Sequence, residues 1–354
     1  MPLLDGITSA YVETPRLRQH ILTCGPEQGE TVILVHGNFS SATFWEELML
    51  ALSSSGLRCV APDLRGYGWT EDKPVDARRG LVDFTDDLDA LVTTLGLPPF
   101  HLVGWSLGGG VVCRYLINHP DQVLTVTLQA PVSPYGFGGT KGVDGIPCYD
   151  DYAGSGGGTV NPEFVKRIAQ GDRSSEDPNS PRNVINAFYY AGGFRASREE
   201  DFLAAALRER IGEDRYPGDF VPSANWPNVA PGVWGPINAG SPKYVAGDAD
   251  ALVAVEPKPP ILWIRGADDQ IVSDLSMFDF GALGQLELVP GWPGEDVYPP
   301  QPMVGQTRNV LERYAAVGGA YREVVLQNCA HSPHVEHPQR WVGEFLGHIG
   351  RPIS

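Results

Sequence analysis

His101–Gly110 reads HLVGWSLGGG. An apolar run closes on a serine set between Gly104 and Gly108, and a helix-like run follows. FHLVG has the texture of a buried strand and LGGGVVCRYL that of a helix, so Ser106 stands where one becomes the other. A nucleophile elbow needs this placement. The sharp turn strains the serine backbone, and its neighbours must be small for the two chains to approach. Gly104 and Gly108 meet that need, and Gly109 extends it. The hydroxyl then stands at the carboxyl end of a sheet and at a helix N-terminus, where free N–H groups favour negative charge. In a chain with 42 glycines the pentapeptide G-x-S-x-G is weak by itself, so the flanking strand and helix carry the reading.

The same alternation extends on both sides. TVILV (31–35) and LRCVAPD (57–63) read as strands before the elbow, and VLTVTLQAP (123–131) as one after it. FWEELMLALSSSG and LVDFTDDLDALVTTLGL read as the helices between them. The pattern lapses after Pro131 and resumes with the strand-like PPILWIRG, the acidic loop ADDQIV, the strand YREVVL and a closing helix over about 337–349. Strands alternating with helices at this spacing predict a doubly wound, mostly parallel α/β sheet. Residues 1–132 and 260–354 form the expected core, and 133–259 the expected inserted cap, mainly helical and irregular. A smaller insertion, beginning VPGWPGEDVYPP, separates the last two strands.

A serine hydroxyl is a poor nucleophile without a base and an acid to orient that base. His331 follows the last strand directly, within reach of the elbow, and is the candidate base. His334 is a neighbour or a surface residue, and His337 opens the final helix. In GADDQIV, Asp268 and Asp269 compete for the acid, and spacing does not separate them. An oxyanion needs two N–H donors. Leu107 follows the nucleophile, and HGNFSS after TVILV offers the N–H of Asn38, with Gly37 letting the backbone come close.

Composition narrows the partners. The net charge of −17 repels nucleic acid and anionic membrane surfaces on average, so neither is expected. No apolar run approaches the roughly 20 residues that span a bilayer. Five cysteines, an odd count without C-x-x-C spacing, suggest neither a disulfide framework nor a zinc site. The first residues show no basic start followed by an apolar core, so no signal peptide is expected and reduced thiols in a cytoplasmic protein are. No metal or other cofactor is implied, and oligomeric state is not encoded legibly.

VHGNFSSATFW, APDLRGYGWT, VGWSLGGG, IRGADDQIV and CAHSPHVEHP together resemble the α/β-hydrolase superfamily, in its order and spacing. The resemblance covers about 32–131 and 260 to the end. It implies an eight-stranded, mostly parallel sheet with a cap inserted after VLTVTLQAP, and a triad of Ser106, Asp269 and His331. The family's glycine, two residues and acid select Asp269 over Asp268. Its usual glycine before the histidine is Ala330 here. Haloalkane dehalogenases and epoxide hydrolases use an aspartate nucleophile, and the serine disfavours both. The implied activity is hydrolysis of a small to medium, largely uncharged carboxylic ester or lactone through an acyl-enzyme. The same triad serves carbon–carbon bond hydrolases, aminopeptidases, acyltransferases and cofactor-free perhydrolases. Outside catalysis, the fold serves ligand receptors with little turnover. Trp45, Trp105, Tyr189, Trp226, Trp234 and Trp292 are the aromatic candidates for a substrate pocket, although aromatics in a cap most often pack its own core.

Overall fold

In the computed structural model, which describes residues 3–352, the chain folds around one eight-stranded sheet. Its strands are β1 (Thr8–Glu13), β2 (Arg18–Cys24), β3 (Thr31–Val35), β4 (Arg58–Pro62), β5 (Phe100–Trp105), β6 (Val123–Gln129), β7 (Ile261–Gly266) and β8 (Tyr321–Leu326). The order across the sheet is β1-β2-β4-β3-β5-β6-β7-β8. β1 and β2 pair antiparallel with each other, and β2 does so with β4; all the other pairings are parallel.

The central strands are buried on both faces. Every residue of β3 and β5 is buried, which is why both read as unbroken apolar runs. Alternate residues feed two cores. Val32, Leu34, Val103, Trp105, Leu262 and Ile264 face one side, with Met49 and Leu52 of helix α1 (Glu46–Ser54) and with Trp341 and Phe345 of the closing helix. Ile33, Val35, Leu102, Val126 and Trp263 face the other, against helices α2 (Val82–Leu95) and α3 (Leu107–Asn118). Apolar burial on this scale, at roughly 25 cal/mol per Å², is the main favourable term in folding.

Register sets the site. Val35 lies opposite Gly104, Trp105 opposite Gln129, and Gly266 opposite Leu326. The loops beginning at His36, Ser106 and Ala267 and the loop after β8 therefore leave from one edge of the sheet. In open α/β sheets this carboxyl edge is where ligands bind.

Between β6 and β7 the chain forms α4 (Pro162–Ala169), short helical turns over Pro181–Val184 and Ile185–Tyr189, a helix over Glu199–Ala206, and small two-stranded ribbons. Phe164, Ile168, Ile185, Tyr189, Tyr190 and Phe202 of this block share the core of the Trp105 face. Phe202 stacks on Phe44 at 4.4 Å between ring centroids. The last piece, Asp248–Ala254, lies against α3, where Arg114 pairs with Asp248 at 2.7 Å. No helix among the described residues is long and apolar enough to cross a membrane.

Candidate active site

Ser106 has φ 56° and ψ −119°, a conformation that side-chain-bearing residues rarely adopt. The surroundings hold it there. Its N–H donates to Gln129 O at 3.0 Å, and its carbonyl accepts from Gly109 and Val132 N–H at 2.8 and 3.0 Å. The turn closes only because its flanks carry no side chains. A Cβ on Gly104 would lie 2.3 Å from Gly108 O, and one on Gly108 would lie 2.4 Å from both His36 O and Val35 O.

His331 and Asp269 meet from the ends of β8 and β7. His331 Nδ1 donates to Asp269 Oδ2 at 2.9 Å, and both side chains are almost fully buried. Asp269 Oδ1 accepts from the Ile271 and Val272 N–H groups at 2.8 and 3.1 Å. These bonds fix the carboxylate, and the carboxylate fixes the proton of the imidazole on Nδ1. Asp268 is exposed. The Trp105 indole N–H donates to His331 O at 2.8 Å, and the imidazole lies 5.7 Å from the Trp105 ring and 5.8 Å from Tyr189. Ser106, next along the chain from Trp105, is thus tied to the histidine loop. Among the described residues its hydroxyl makes no hydrogen bond to the imidazole; such bonds are often long without substrate and tighten with it.

The loop after β3 lies against the elbow. A Cβ on Gly37 would be 2.9 Å from Ser106 Cβ and 3.5 Å from its Oγ. His36 Nδ1 donates to Gly37 O at 2.7 Å, and its Nε2 accepts from Leu64 N–H at 3.0 Å. Burial lowers the His36 pKa, which keeps the ring neutral. Phe39 takes φ 45°. Among the described residues neither the Asn38 nor the Leu107 N–H has an acceptor, so both stay available beside Ser106.

Around this loop Tyr189 is a candidate from the sequence, whereas Tyr67, Tyr216 and Glu209 carry no signal there. Tyr67 donates to Asn38 Oδ1 at 2.7 Å, and Tyr189 donates to Asn38 O at 2.8 Å and Phe39 O at 3.2 Å. Tyr216 is buried beside Asn38 as well. Among these phenols lies Glu209, only 5% exposed and with neither carboxyl oxygen hydrogen-bonded. Tyr67 faces it, but its hydroxyl is committed to Asn38. Burial pushes the Glu209 carboxyl well above the usual range, so it is held as the acid. A raised folded pKa adds stability at low pH that disappears as pH rises through it. E209Q should therefore match the parent in unfolding midpoint near about pH 4 and exceed it by a few degrees near pH 8. Equal midpoints across that range would contradict the assignment.

The six aromatic candidates divide. Trp45, Trp105 and Tyr189 gather around the histidines, with Trp45 fully buried 4.3 Å from His334. His334 bonds through Nδ1 to Gln129 Nε2 at 2.7 Å, and burial lowers its pKa to about 3. It is a buried neighbour, not a surface residue. Trp226 and Trp292 instead pack in the second insertion. Trp226 lies on Phe280 and Tyr298 with its N–H on Pro290 O, and the Trp292 N–H donates to Tyr298 O. Trp234 lies under the Arg78 guanidinium, with its backbone N–H on Asp219. The structure does not bring these three to Ser106. Arg198, which reads as a solvated charge, is mostly buried and pairs with buried Glu46 at 3.1 Å.

A model described as "alpha/beta hydrolase fold" matches residues 30–143. The non-heme chloroperoxidase CPO-A1 of Kitasatospora aureofaciens is 31% identical over 46% of this chain and 60% of its own length. The 2-hydroxymuconate semialdehyde hydrolase of Pseudomonas sp. (strain CF600) is 25% identical over 73% of this chain and 78% of its own. Thus the chain spans under two thirds of the first relative's length. Among solved structures, the esterase RhEst1 from Rhodococcus sp. ECU1013 aligns at TM-score 0.59 and 19% identity, covering 98% of each chain. The matched segment holds the elbow, and the structural likeness extends the same sheet through β8. Residues 30–143 match the α/β-hydrolase family, and the chain as a whole has the α/β-hydrolase fold.

Proposed function

We propose that this protein is a serine hydrolase acting on small to medium, largely uncharged carboxylic esters or lactones. Ser106 attacks the carbonyl, and His331 takes the hydroxyl proton and returns it to the leaving alcohol. Asp269 holds the imidazole tautomer and stabilises its charge. The N–H groups of Asn38 and Leu107 receive the developing oxyanion. Water then releases the acyl group from Ser106. Residues 133–259 act as the cap that walls the pocket, and Tyr189 is its aromatic residue beside His331.

The observation that carries this reading is the 2.9 Å bond between buried His331 and Asp269, beside a serine at φ 56° on the strand-to-helix turn. Labelling with a fluorophosphonate, followed by a series of p-nitrophenyl esters of increasing chain length, tests it. Ser106 should carry the label, and the ester series should show an optimum set by the pocket. A chain that labels nowhere and turns over none of these esters would refute the proposal.

The Asn38 loop gives a second test. A Cβ at position 37 meets Ser106 Cβ and Trp105 O, at 2.9 and 3.1 Å, so the loop must retreat from the elbow. Gly37→Ala should lower kcat by roughly 10²-fold, the cost of losing an oxyanion donor, with KM changed far less. Unchanged kcat would show that the loop does not serve the reaction.

The chloroperoxidase relative favours a second reading, cofactor-free perhydrolysis on the same serine. Peroxide-dependent halogenation in acetate buffer, lost in S106A, would select it over simple ester hydrolysis.

A further inference from the structure

On edge strand β1, far along the sheet from Ser106, a second serine, histidine and aspartate stand in line. Ser9 Oγ lies 2.8 Å from His20 Nε2, and His20 Nδ1 lies 2.8 Å from Asp63 Oδ2. Strand register brings the first two together. Tyr11 is the cross-strand partner of His20, and Ser9, two residues before it, shares its face. Asp63 follows β4, the next strand across.

The proton positions follow from the partners. Asp63 is fully buried; its Oδ2 also accepts from Trp69 N–H at 2.9 Å and its Oδ1 from Ala42 N–H at 2.8 Å. Burial alone would raise this carboxyl, but the His20 hydrogen bond and the Trp69 N–H help to hold it below the usual range. An ionised Asp63 places the imidazole proton on Nδ1. The Nε2 lone pair is left for the Ser9 hydroxyl, which therefore donates to it. The ring is held between Tyr11 at 5.3 Å and Trp69 at 5.4 Å, and the His20 N–H donates to Thr70 Oγ1 at 3.0 Å. Base and acid are thus buried and fixed, while Ser9 itself is exposed.

We propose that Ser9 is a second nucleophilic serine, an acceptor site for small activated acyl donors, working independently of Ser106. The Ser9 Oγ–carbonyl bond forms as the bond from that carbonyl to the leaving oxygen breaks. The hydroxyl proton passes to His20 Nε2 and on to the leaving group, and Asp63 keeps its charge throughout. The site lies open on an edge strand, so its readout is a stoichiometric adduct.

The test uses the full chain carrying Ser106→Ala, treated with p-nitrophenyl acetate and, separately, with a fluorophosphonate, then mapped by peptide mass. Ser54 is the internal reference, an exposed serine whose hydroxyl donates to a helix carbonyl. Ser9 should react roughly 10²-fold faster than Ser54, the usual contribution of a positioned general base. His20→Gln should bring Ser9 down to the Ser54 rate, and Ser9→Ala should remove the adduct. Equal rates at Ser9 and Ser54 would overturn the proposal, showing that the three residues only tie the strands together. If His20→Gln fails to fold, the ratio of the two rates with His20 intact still decides. Labelling of Ser106 in Ser9→Ala protein is read separately, so failure at either serine is distinguishable from failure at the other.

Discussion

Replacing Ser106 with alanine is expected to lower kcat/KM on p-nitrophenyl esters by roughly 10⁴- to 10⁶-fold, about 5–8 kcal/mol of transition-state stabilisation. The fold should be untouched. The Ser106 side chain caps no helix end, and the bonds that hold the turn use its backbone N–H and carbonyl, which alanine keeps. Position 106 takes φ 56°, which strains alanine as it strains serine, so the unfolding midpoint should move by no more than a few degrees. Residual turnover would come from the N–H groups of Asn38 and Leu107 acting on bound substrate. Steady-state kinetics beside thermal unfolding checks both halves. Activity within tenfold of the parent would mean that the hydroxyl is not the nucleophile.

Asp269→Asn should cost roughly 10⁴-fold in kcat, and the reason is a proton position. Asp269 receives three N–H donors: two backbone groups on Oδ1 and His331 Nδ1 on Oδ2. In the asparagine variant the amide oxygen keeps the backbone pair, so the amide nitrogen faces His331. That nitrogen donates, His331 Nδ1 must accept, and the imidazole proton moves to Nε2. A ring protonated there cannot take the proton of Ser106. Asp268→Asn is the control, because that carboxylate is exposed and should leave kcat within about twofold. Similar losses at both positions would argue for a general charge effect and against tautomer control.

The parts of this architecture legible in the sequence are those where burial writes a pattern. β3 and β5 are buried throughout and read as apolar runs. The close approaches at Gly104 and Gly108 need residues without Cβ, and that requirement is visible as spacing. β1 and β2 leave no such trace. Thr8–Glu13 has no buried residue, and Arg18–Cys24 opens on three polar residues, so their pairing is set by register with neighbours and not by apolar content. Ser9 and His20 are illegible for that reason, whereas Asp63 closes the legible run LRCVAPD and only its partners across the sheet are hidden. Glu209 was hidden differently. In the string RERIG it reads as a surface charge, and only the fold encloses it among Tyr67, Tyr189 and Tyr216. The tryptophans mark the limit of composition, because an indole that packs an insertion, like Trp226, looks the same in sequence as one beside the histidine, like Trp105.

The Tyr189 hydroxyl reaches the carbonyls of Asn38 and Phe39 across some 150 positions of chain. Anyone transplanting the insert of a homologue onto this scaffold would remove the donor from a part-buried and a buried contact, at about 1–3 kcal/mol for each carbonyl left unpaired. Modular exchange of that region is therefore not neutral toward the sheet beneath it. A graft that keeps a phenol at the equivalent place should express as a folded chimera more readily than one that does not.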